Sequence, residues 1–125
     1  MLGDARVDAT IPTVDLDRAR EFYGGTLGLR PTDRALRGRE LVYDCGGGTR
    51  LLLYERKRAG TAEHTLAHFM VDDLEDTVKA LRARGVTFED YDTPDIRTVD
   101  GIATFADFKA AWLRDPDGNI IALNG

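Results

Sequence analysis

The sequence predicts an α+β fold in which two βαβββ modules follow one another along the chain. Three observations support this prediction. A helical segment occurs twice, an extended run precedes each copy, and three further strand-like runs follow each copy. An internal repeat is the first feature to look for in a sequence, because it fixes the order of the elements.

The repeated segment is predicted to be an amphipathic helix in both copies. Residues 15–23 match residues 73–81, an offset of 58 positions. Each copy begins with an aspartate, Asp15 or Asp73, whose carboxylate is suited to accept a hydrogen bond from a first-turn N–H group. Apolar residues recur at intervals of three or four, as on a helix that buries one face. They are Leu16, Ala19, Phe22 and Tyr23 in the first copy and Leu74, Val78 and Leu81 in the second.

Strands are predicted around both helices, from runs that alternate in polarity or are rich in β-branched residues. In the first module they span residues 5–14, 28–32, 40–44 and 50–54. In the second module they span residues 65–71, 86–91, 108–114 and 119–123. Glycines at 46–48 and the run 115–119 provide the turns of the final hairpins. The chain is therefore one domain, with module 1 at about residues 1–57, a linker at about 58–64 and module 2 at about 65–125.

Residues 92–107 interrupt this regular pattern. They contain Pro94 and Gly101 and show little periodicity. Long irregular segments in compact domains are often lids or pocket walls. Two interpretations stay open, a segment that contacts a ligand and a plain surface loop.

Composition argues against several classes of protein. The 17 basic and 22 acidic residues give a net charge of −5, which is unfavourable for binding nucleic acid through its phosphates. No apolar run approaches the ~20 residues needed to cross a bilayer, and the N-terminus does not read as a secretory signal, so we expect a cytoplasmic protein. The single cysteine, Cys45, rules out an internal disulfide, and a chain without serine has no serine nucleophile.

Two segments are the most distinctive in the chain: residues 11–23 with Leu27-Gly28-Leu29 behind them, and the closing run Asp115-Pro116-Asp117-Gly118-Asn119. Together they resemble the vicinal oxygen chelate superfamily, which contains glyoxalases, bleomycin resistance proteins and extradiol dioxygenases. The resemblance extends over essentially the whole chain. It implies curled mixed sheets around a cup, and a homodimer. It leaves the activity open, because one fold can host both enzymes and binding proteins.

The resemblance also implies where a metal ion would be held. Metal-dependent members place one ligand on each of four strands, and counting from the motifs puts these positions at Asp8, Leu51, Leu66 and Ala122. A divalent cation needs about three His, Asp or Glu ligands, and only Asp8 qualifies. We therefore predict no metal and no other cofactor. An alternative stays open, since a register shift of two residues would place His68 beside Asp8, with Glu55 as a third ligand.

Without a metal, the inward faces of the predicted cup become the candidate binding surface. Residues of one parity along a strand share a face, and the rings of Tyr91 and Trp112 offer flat surface to a planar ligand. The predicted ligand contacts are Asp8, Thr10, Leu51, Leu53, Glu55, Leu66, His68, Met70, Tyr91, Trp112 and Ala122. A mostly apolar lining with a few polar groups is typical of a small-molecule pocket.

Two functions follow from these residues and the resemblance. The first is metal-free binding of a small molecule, aromatic or amphipathic in character. The alternative is an enzyme of the same superfamily, a glyoxalase-like lyase or isomerase or a dioxygenase, in which Asp8 and His68 hold a metal or act as base and acid. Asp8 and His68 are the only candidate catalytic residues. A purely structural or regulatory module is a third possibility that no residue specifically supports.

Overall fold

The computed structural model describes residues 1–32, 38–58 and 62–125. The chain divides into two compact units, Met1–Gly60 and Thr61–Gly125. Each unit contains one sheet and one main helix in the expected order, which confirms the α+β class and the duplicated module. The linker predicted at 58–64 includes residues 59–61, which lie outside the described residues. Neither described helix is long and apolar enough to cross a membrane.

The first unit contains a four-stranded mixed sheet. Its strands are β1 (Ala9–Thr13), β2 (Arg30–Thr32), β3 (Glu40–Asp44) and β4 (Arg50–Glu55). Their spatial order is β1-β4-β3-β2, with β1 and β4 parallel and the other two pairs antiparallel. Short 3₁₀ turns lie at Leu2–Asp4 and Gly46–Gly48. Among these four strands, the parallel pair joins the two that are furthest apart in the module's sequence, as a βαβββ topology requires.

The first helix, α1 (Leu16–Arg20), begins at the predicted cap. The carboxylate of Asp15 accepts a hydrogen bond from a first-turn N–H group at 3.0 Å. The helix continues as a wider π turn over Glu21–Thr26, in which the N–H of Leu27 donates to the carbonyl of Phe22 at 2.8 Å. Two adjacent glycines lie inside this turn, and their conformational freedom makes such a departure from α geometry cheap.

The helix packs on one side of the first sheet, which we call the helix face. Directly opposed residues of neighbouring strands point to the same side, so the pairs Ile11–Leu53 and Leu51–Tyr43 share it. All four side chains are at most 2% exposed. The Tyr43 ring lies 6.4 Å from that of Tyr23, which follows the helix. Each large apolar side chain buried here contributes about 1.5–3 kcal/mol to folding.

The second unit contains a five-stranded mixed sheet. Its strands are β5 (Thr65–Met70), β6 (Thr98–Val99), β7 (Ile102–Thr104), β8 (Lys109–Arg114) and β9 (Ile120–Asn124). Their spatial order is β5-β9-β8-β7-β6, with β5 and β9 parallel and the remaining pairs antiparallel. The sheet therefore repeats the first one and adds one short strand at its far edge.

The second helix, α2 (Leu74–Ala83), buries the apolar stripe that the sequence predicts. Leu74, Val78 and Leu81 are at most 9% exposed. The helix ends where Gly85 adopts a φ of 90° and the N–H of Val86 donates to the carbonyl of Leu81 at 3.1 Å. A glycine is favoured at this position because a side chain would be strained in the left-handed conformation.

The strand predicted at residues 86–91 is wrong. Val86 and Phe88 are buried, as the alternating pattern indicates, yet the segment makes only an isolated bridge between Phe88 and Leu113. The N–H of Glu89 donates to the carbonyl of Trp112 at 2.8 Å. The alternation thus reports burial against the core, which an extended segment achieves without a continuous ladder of hydrogen bonds.

Residues 92–107, predicted to be irregular, contain the hairpin of β6 and β7. Its two-residue turn is Asp100-Gly101, with φ values of 52° and 77°. Positive φ at both central residues is the type I′ geometry that matches the twist of two antiparallel strands. The segment is therefore partly an extension of the sheet, and the Asp-Gly pair is the sequence signal that indicates it.

Candidate functional site

The first sheet presents a more polar surface on the side opposite its helix. Thr10 of β1 and Leu52 of β4 are direct neighbours on this side, and Val42 of β3 lies beside Leu52. Asp8 lies one residue before β1 and has the same parity as Thr10. Among the predicted contacts of this unit, Asp8 and Thr10 therefore share a face.

The predicted grouping of Leu51 and Leu53 with Thr10 is wrong. Leu51 is opposed to Ala9 and Leu53 to Ile11, so both lie on the helix face, where they are 2% and 0% exposed. Glu55 has the same parity, at the exposed end of β4. A miscount of one residue at the Gly46–Gly48 turn transfers every side chain of a strand to its other face. A ligand contact by these three residues stays a prediction, and the two leucines have a clear packing role.

Asp8 is engaged in ion pairs. Arg50 donates from Nη2 and Nε to Asp8 Oδ2, at 2.7 and 3.2 Å, and Arg6 Nε lies 3.2 Å from Oδ1. The hydrogen bond from Arg50 is the main cause that holds the pKa of Asp8 below its ordinary value. A carboxylate stabilised in this way is a weaker base, which makes Asp8 a poor candidate for proton abstraction.

The second sheet brings four predicted residues together on one face. His68, Ala122 and Trp112 are opposed in a row across β5, β9 and β8, and Met70 lies two residues beyond His68 on the same side. His68 and Met70 are exposed, Trp112 is half-buried, and Ala122 is 4% exposed. We call these four residues and Tyr91 the aromatic row.

The aromatic row lies on the side of the sheet that faces away from α2. The opposite side carries Leu113 and Ile121, both fully buried, and Lys109, which forms an ion pair with Glu75 of α2. That ion pair lowers the pKa of Glu75, mainly through the hydrogen bond from Lys109. The row is therefore available for contacts other than those of the unit's own helix.

A register shift in β5 sets which side chains join the row. Thr65 is opposed to Ile120, whereas Ala67 is opposed to the next residue, Ile121. Leu66 is the extra residue between these two pairs and takes no place in the ladder. Counting from the motifs equates Leu66 with a strand position that faces a ligand, but a residue outside the ladder does not have the facing of a regular strand position. The ligand contact of Leu66 stays a prediction.

Tyr91 is fixed against Trp112. The two rings meet edge to face, with centroids 5.3 Å apart and planes at 88°. The N–H of Tyr91 donates to Thr98 Oγ1 and the N–H of Thr98 donates to the carbonyl of Tyr91, both at 2.9 Å. Burial is the main cause that raises the pKa of Tyr91, so its hydroxyl is neutral and able to donate a hydrogen bond at neutral pH.

Polar groups surround this pair of rings. Arg114 has the parity of Trp112 and its Nε donates to Glu89 at 2.6 Å. Tyr91 also lines an open depression of about 550 Å³, together with Asp90, Asp92, Arg97 and Thr98. The two rings thus have hydrogen-bonding groups close by.

The residues that the structure describes do not offer the donor set of a metal centre. Of the four positions that the family resemblance implies, Leu51 is buried on the helix face, Leu66 lies at the register shift and Ala122 has no donor atom. Asp8 is already paired with arginine. Across the described ranges, no three His, Cys, Asp or Glu side chains lie close enough to hold a metal ion. The residues present therefore do not fit a metal site.

The candidate acid and base belong to different units. Asp8 precedes β1 of the first unit, and His68 lies on β5 of the second. Joint action of these two residues stays a prediction.

The predictions from the sequence do not include two features of the site: the pairing of Arg50 with Asp8, and the role of Thr98 in holding Tyr91. The Asp-Gly turn two residues after Thr98 is the signal that could have revealed the second.

Comparison with known proteins agrees with the fold. A glyoxalase/bleomycin resistance protein from Streptomyces sp. CB03234 is 24% identical with a TM-score of 0.70, over 94% of this chain and 97% of that one. A protein of the same description from Catenulispora acidiphila DSM 44928 is 25% identical with a TM-score of 0.70, over 95% and 96%. A lactoylglutathione lyase from Agrobacterium tumefaciens is 21% identical with a TM-score of 0.67, over 97% and 92%.

No curated protein matches the chain. The family model described as Glyoxalase/Bleomycin resistance protein/Dioxygenase superfamily does match it, from residue 6 to residue 123. That range includes both helices and all nine described strands except the last residue of β9. The duplicated module, the sheet order and this match together show that the chain belongs to the glyoxalase/bleomycin resistance protein/dioxygenase superfamily.

Proposed function

We propose that the protein binds a small aromatic or amphipathic molecule on the aromatic row of the second sheet, without a metal ion. The observation that supports this most directly is the placement of Trp112. Its half-buried ring lies next to the small side chain of Ala122 and is braced edge-on by Tyr91. A fixed ring beside a small residue leaves a flat surface against which a planar molecule can stack.

The polar surroundings favour an amphipathic ligand over a purely apolar one. His68, Arg114 and the Tyr91 hydroxyl are spread around the ring surface and offer both donors and acceptors. Ligand sites generally combine an apolar floor with a few such groups, which fix the orientation of the bound molecule. Two of the similar solved structures are of proteins called glyoxalase/bleomycin resistance proteins. Their names are compatible with binding and do not specify the ligand.

The binding proposal can be tested with the protein's own fluorescence. Trp112 is the only tryptophan in the chain, so a molecule that stacks on it changes the emission directly. A panel of planar aromatic compounds, with bleomycin included, would be titrated while Trp112 emission is recorded, and the melting temperature would be measured in parallel. We expect at least one compound to quench the emission saturably and to raise the melting temperature.

Variants then locate the bound molecule. Tyr91→Leu removes the brace of Trp112, and Ala122→Leu fills the floor without removing a ring. We expect each to weaken binding at least tenfold, which corresponds to about 1.4 kcal/mol. Phe105→Leu is the matched control, because it removes a ring of the same unit that stacks on Phe108 and not on Trp112. Equal binding by all three variants, or no quenching by any compound, would contradict the proposal.

A lyase or dioxygenase that uses Asp8 and His68 is the second candidate. Membership of the superfamily supports it, and the ion pairs of Asp8 weaken it. Asp8→Ala and His68→Ala would both abolish turnover of a superfamily substrate if this candidate is right. Full activity in either variant would remove that residue from the mechanism.

We also propose that the protein is a cytoplasmic homodimer. A single half-buried thiol, Cys45, is compatible with a reducing compartment, and fractionation of the source cells would test the location.

The proposed dimer has one apolar group in its favour. Met70, which is 72% exposed and lies two residues from His68 on an edge strand, is a side chain that a second copy could cover. Light scattering at micromolar concentration should give twice the chain mass, and a monomer at that concentration would refute the dimer.

A further inference from the structure

Charges alternate along one row of the first sheet, on the side away from α1. Arg30 of β2 is opposed to Asp44 of β3, and Asp44 is opposed to Arg50 of β4. Arg50 in turn holds Asp8, just before β1, on its other side. Each acidic residue of the row therefore has a basic neighbour on the next strand.

The ion pair between Arg50 and Asp8, at one end of this row, is short and mostly protected from solvent. Both hydrogen bonds from Arg50 go to one oxygen of Asp8, and the two side chains are only 22% and 25% exposed. The other oxygen, Oδ1, has no hydrogen-bond donor within the described part of the chain, although Arg6 Nε lies 3.2 Å from it as a nearby charge. The negative charge of Asp8 is thus balanced by guanidinium groups.

We infer that the Arg50 guanidinium occupies, beside Asp8, the place that a metal ion would need, and that this internal cation keeps divalent ions off the first sheet. A metal at Asp8 would have to displace Arg50 or lie next to its positive charge, and both cost energy. The next residues on this face along β1 and β4, Thr10 and Leu52, offer no carboxylate or imidazole to compensate. The carboxylate of Asp44 is opposed to Arg50 on β3, so the Arg50 residue lies between it and Asp8. This inference deepens the metal-free part of the proposed function and does not depend on what the aromatic row binds.

Reversing one charge tests the inference. Arg50→Glu removes the internal cation and places three carboxylates on adjacent strands, with Asp8 on one side and Asp44 on the other. Oxygen ligands of this kind suit Mn²⁺, whose binding is measured by the loss of the free-ion signal in electron paramagnetic resonance. We expect Arg50→Glu to bind Mn²⁺ at least tenfold more tightly than the wild-type chain does.

Two controls separate this site from a general charge effect. Arg58→Glu makes the same change in net charge at an exposed residue beyond β4, and we expect Mn²⁺ affinity to stay at the wild-type level. Asp8→Asn combined with Arg50→Glu should lose most of the gain. If Arg50→Glu does not fold, Arg50→Gln removes the guanidinium without adding charge, and its Mn²⁺ affinity should still exceed that of the wild type.

Two outcomes would overturn the inference. One is that the wild-type chain binds one Mn²⁺ ion per chain and that Asp8→Asn abolishes this binding. The other is a folded Arg50→Glu, or Arg50→Gln in its place, that binds Mn²⁺ no better than Arg58→Glu. The fluorescence titration of Trp112 is read separately in every variant, so a failure of this inference is distinguishable from a failure of ligand binding on the second sheet.

Discussion

Gly101, at the tip of the β6–β7 hairpin, is the position where one added methyl group should have the largest effect on the site. A Cβ atom there would lie 2.7 Å from Arg82 Nη2 and 3.0 Å from Phe88 Cβ. Arg82 Nη2 also donates to the carbonyl of Asp100 at 2.7 Å, and its guanidinium lies 5.5 Å from the centre of the Phe88 ring. Arg82 thus fastens the hairpin tip to α2 through a contact that the methyl group would displace.

The cost of Gly101→Ala can be divided into two parts. The φ of 77° is left-handed, and an L residue there costs about 1–2 kcal/mol. Displacing Arg82 loses the hydrogen bond to Asp100, worth about 0.5–1.5 kcal/mol. We expect the free energy of unfolding to fall by about 1.5–3.5 kcal/mol in total. The same hairpin carries Thr98, which holds Tyr91, so Trp112 emission should change in the folded variant as well.

Gly85→Ala is the matched control for this experiment. Gly85 has a φ of 90° and no atom within 4 Å of an added Cβ, so only the backbone cost of about 1–2 kcal/mol applies. Urea unfolding followed by circular dichroism measures both variants. Equal losses in the two variants, with unchanged Trp112 emission in Gly101→Ala, would refute the role assigned to Arg82.

Three further predictions concern the rest of the fold. Burial raises the pKa of Tyr43. The contribution of the neutral Tyr43 side chain to stability is therefore complete below the unfolded pKa of about 10, and it is lost as the pH rises through the pKa of Tyr43 in the folded protein. The Tyr43 hydroxyl has no hydrogen-bond partner within the described residues, so Tyr43→Phe should stay within about 1 kcal/mol of wild-type stability at pH 7. The variant should also abolish the loss of stability at alkaline pH, as urea unfolding at pH 7 and at a pH above about 10 would show. Asp115→Ala should destabilise by about 2–4 kcal/mol in the same assay, because the buried carboxylate accepts hydrogen bonds from the backbone and side chain of Asn119; a loss under 1 kcal/mol would contradict this. Asp15→Ala and Asp73→Ala remove equivalent helix caps and should each cost about 1 kcal/mol in thermal unfolding, with Asn at either position largely retaining stability.

The features that the sequence predicts well are those fixed by local chemistry. The caps at Asp15 and Asp73 and the apolar stripes of both helices lie in residues close along the chain, and their repetition fixes the module order. The Asp100-Gly101 turn is an equally local signal, but the two and three residues of β6 and β7 are too few to show strand periodicity. The alternation over residues 86–91 predicts a strand, but alternation reports burial only, and the segment is buried without joining the sheet as a strand.

The site was harder to predict because it depends on register. The face of a strand changes with every single residue, so an error of one at the turn before β4 moved Leu51 and Leu53 to the wrong side. Trp112 and Ala122 lie opposite each other across the short β8–β9 turn, and His68 of β5 lies beside Ala122; the ligand contacts predicted for the three residues stay predictions. The pairing of Arg50 with Asp8 joins residues 42 positions apart, and no periodicity in the sequence indicates it.

The register shift in β5 has a consequence for how binding specificity could diverge among relatives. If Leu66 took a regular place in the ladder, Ala67 would stand beside Ala122 and Trp112, and His68 would turn toward α2. A slip of one residue that absorbed Leu66 into the ladder would therefore exchange an imidazole for a methyl group beside Ala122, with no substitution in the row itself. Two chains that differ only in whether β5 contains this extra residue would present different side chains on the row, and an alignment that ignores a one-residue gap at this point would pair side chains that face opposite ways.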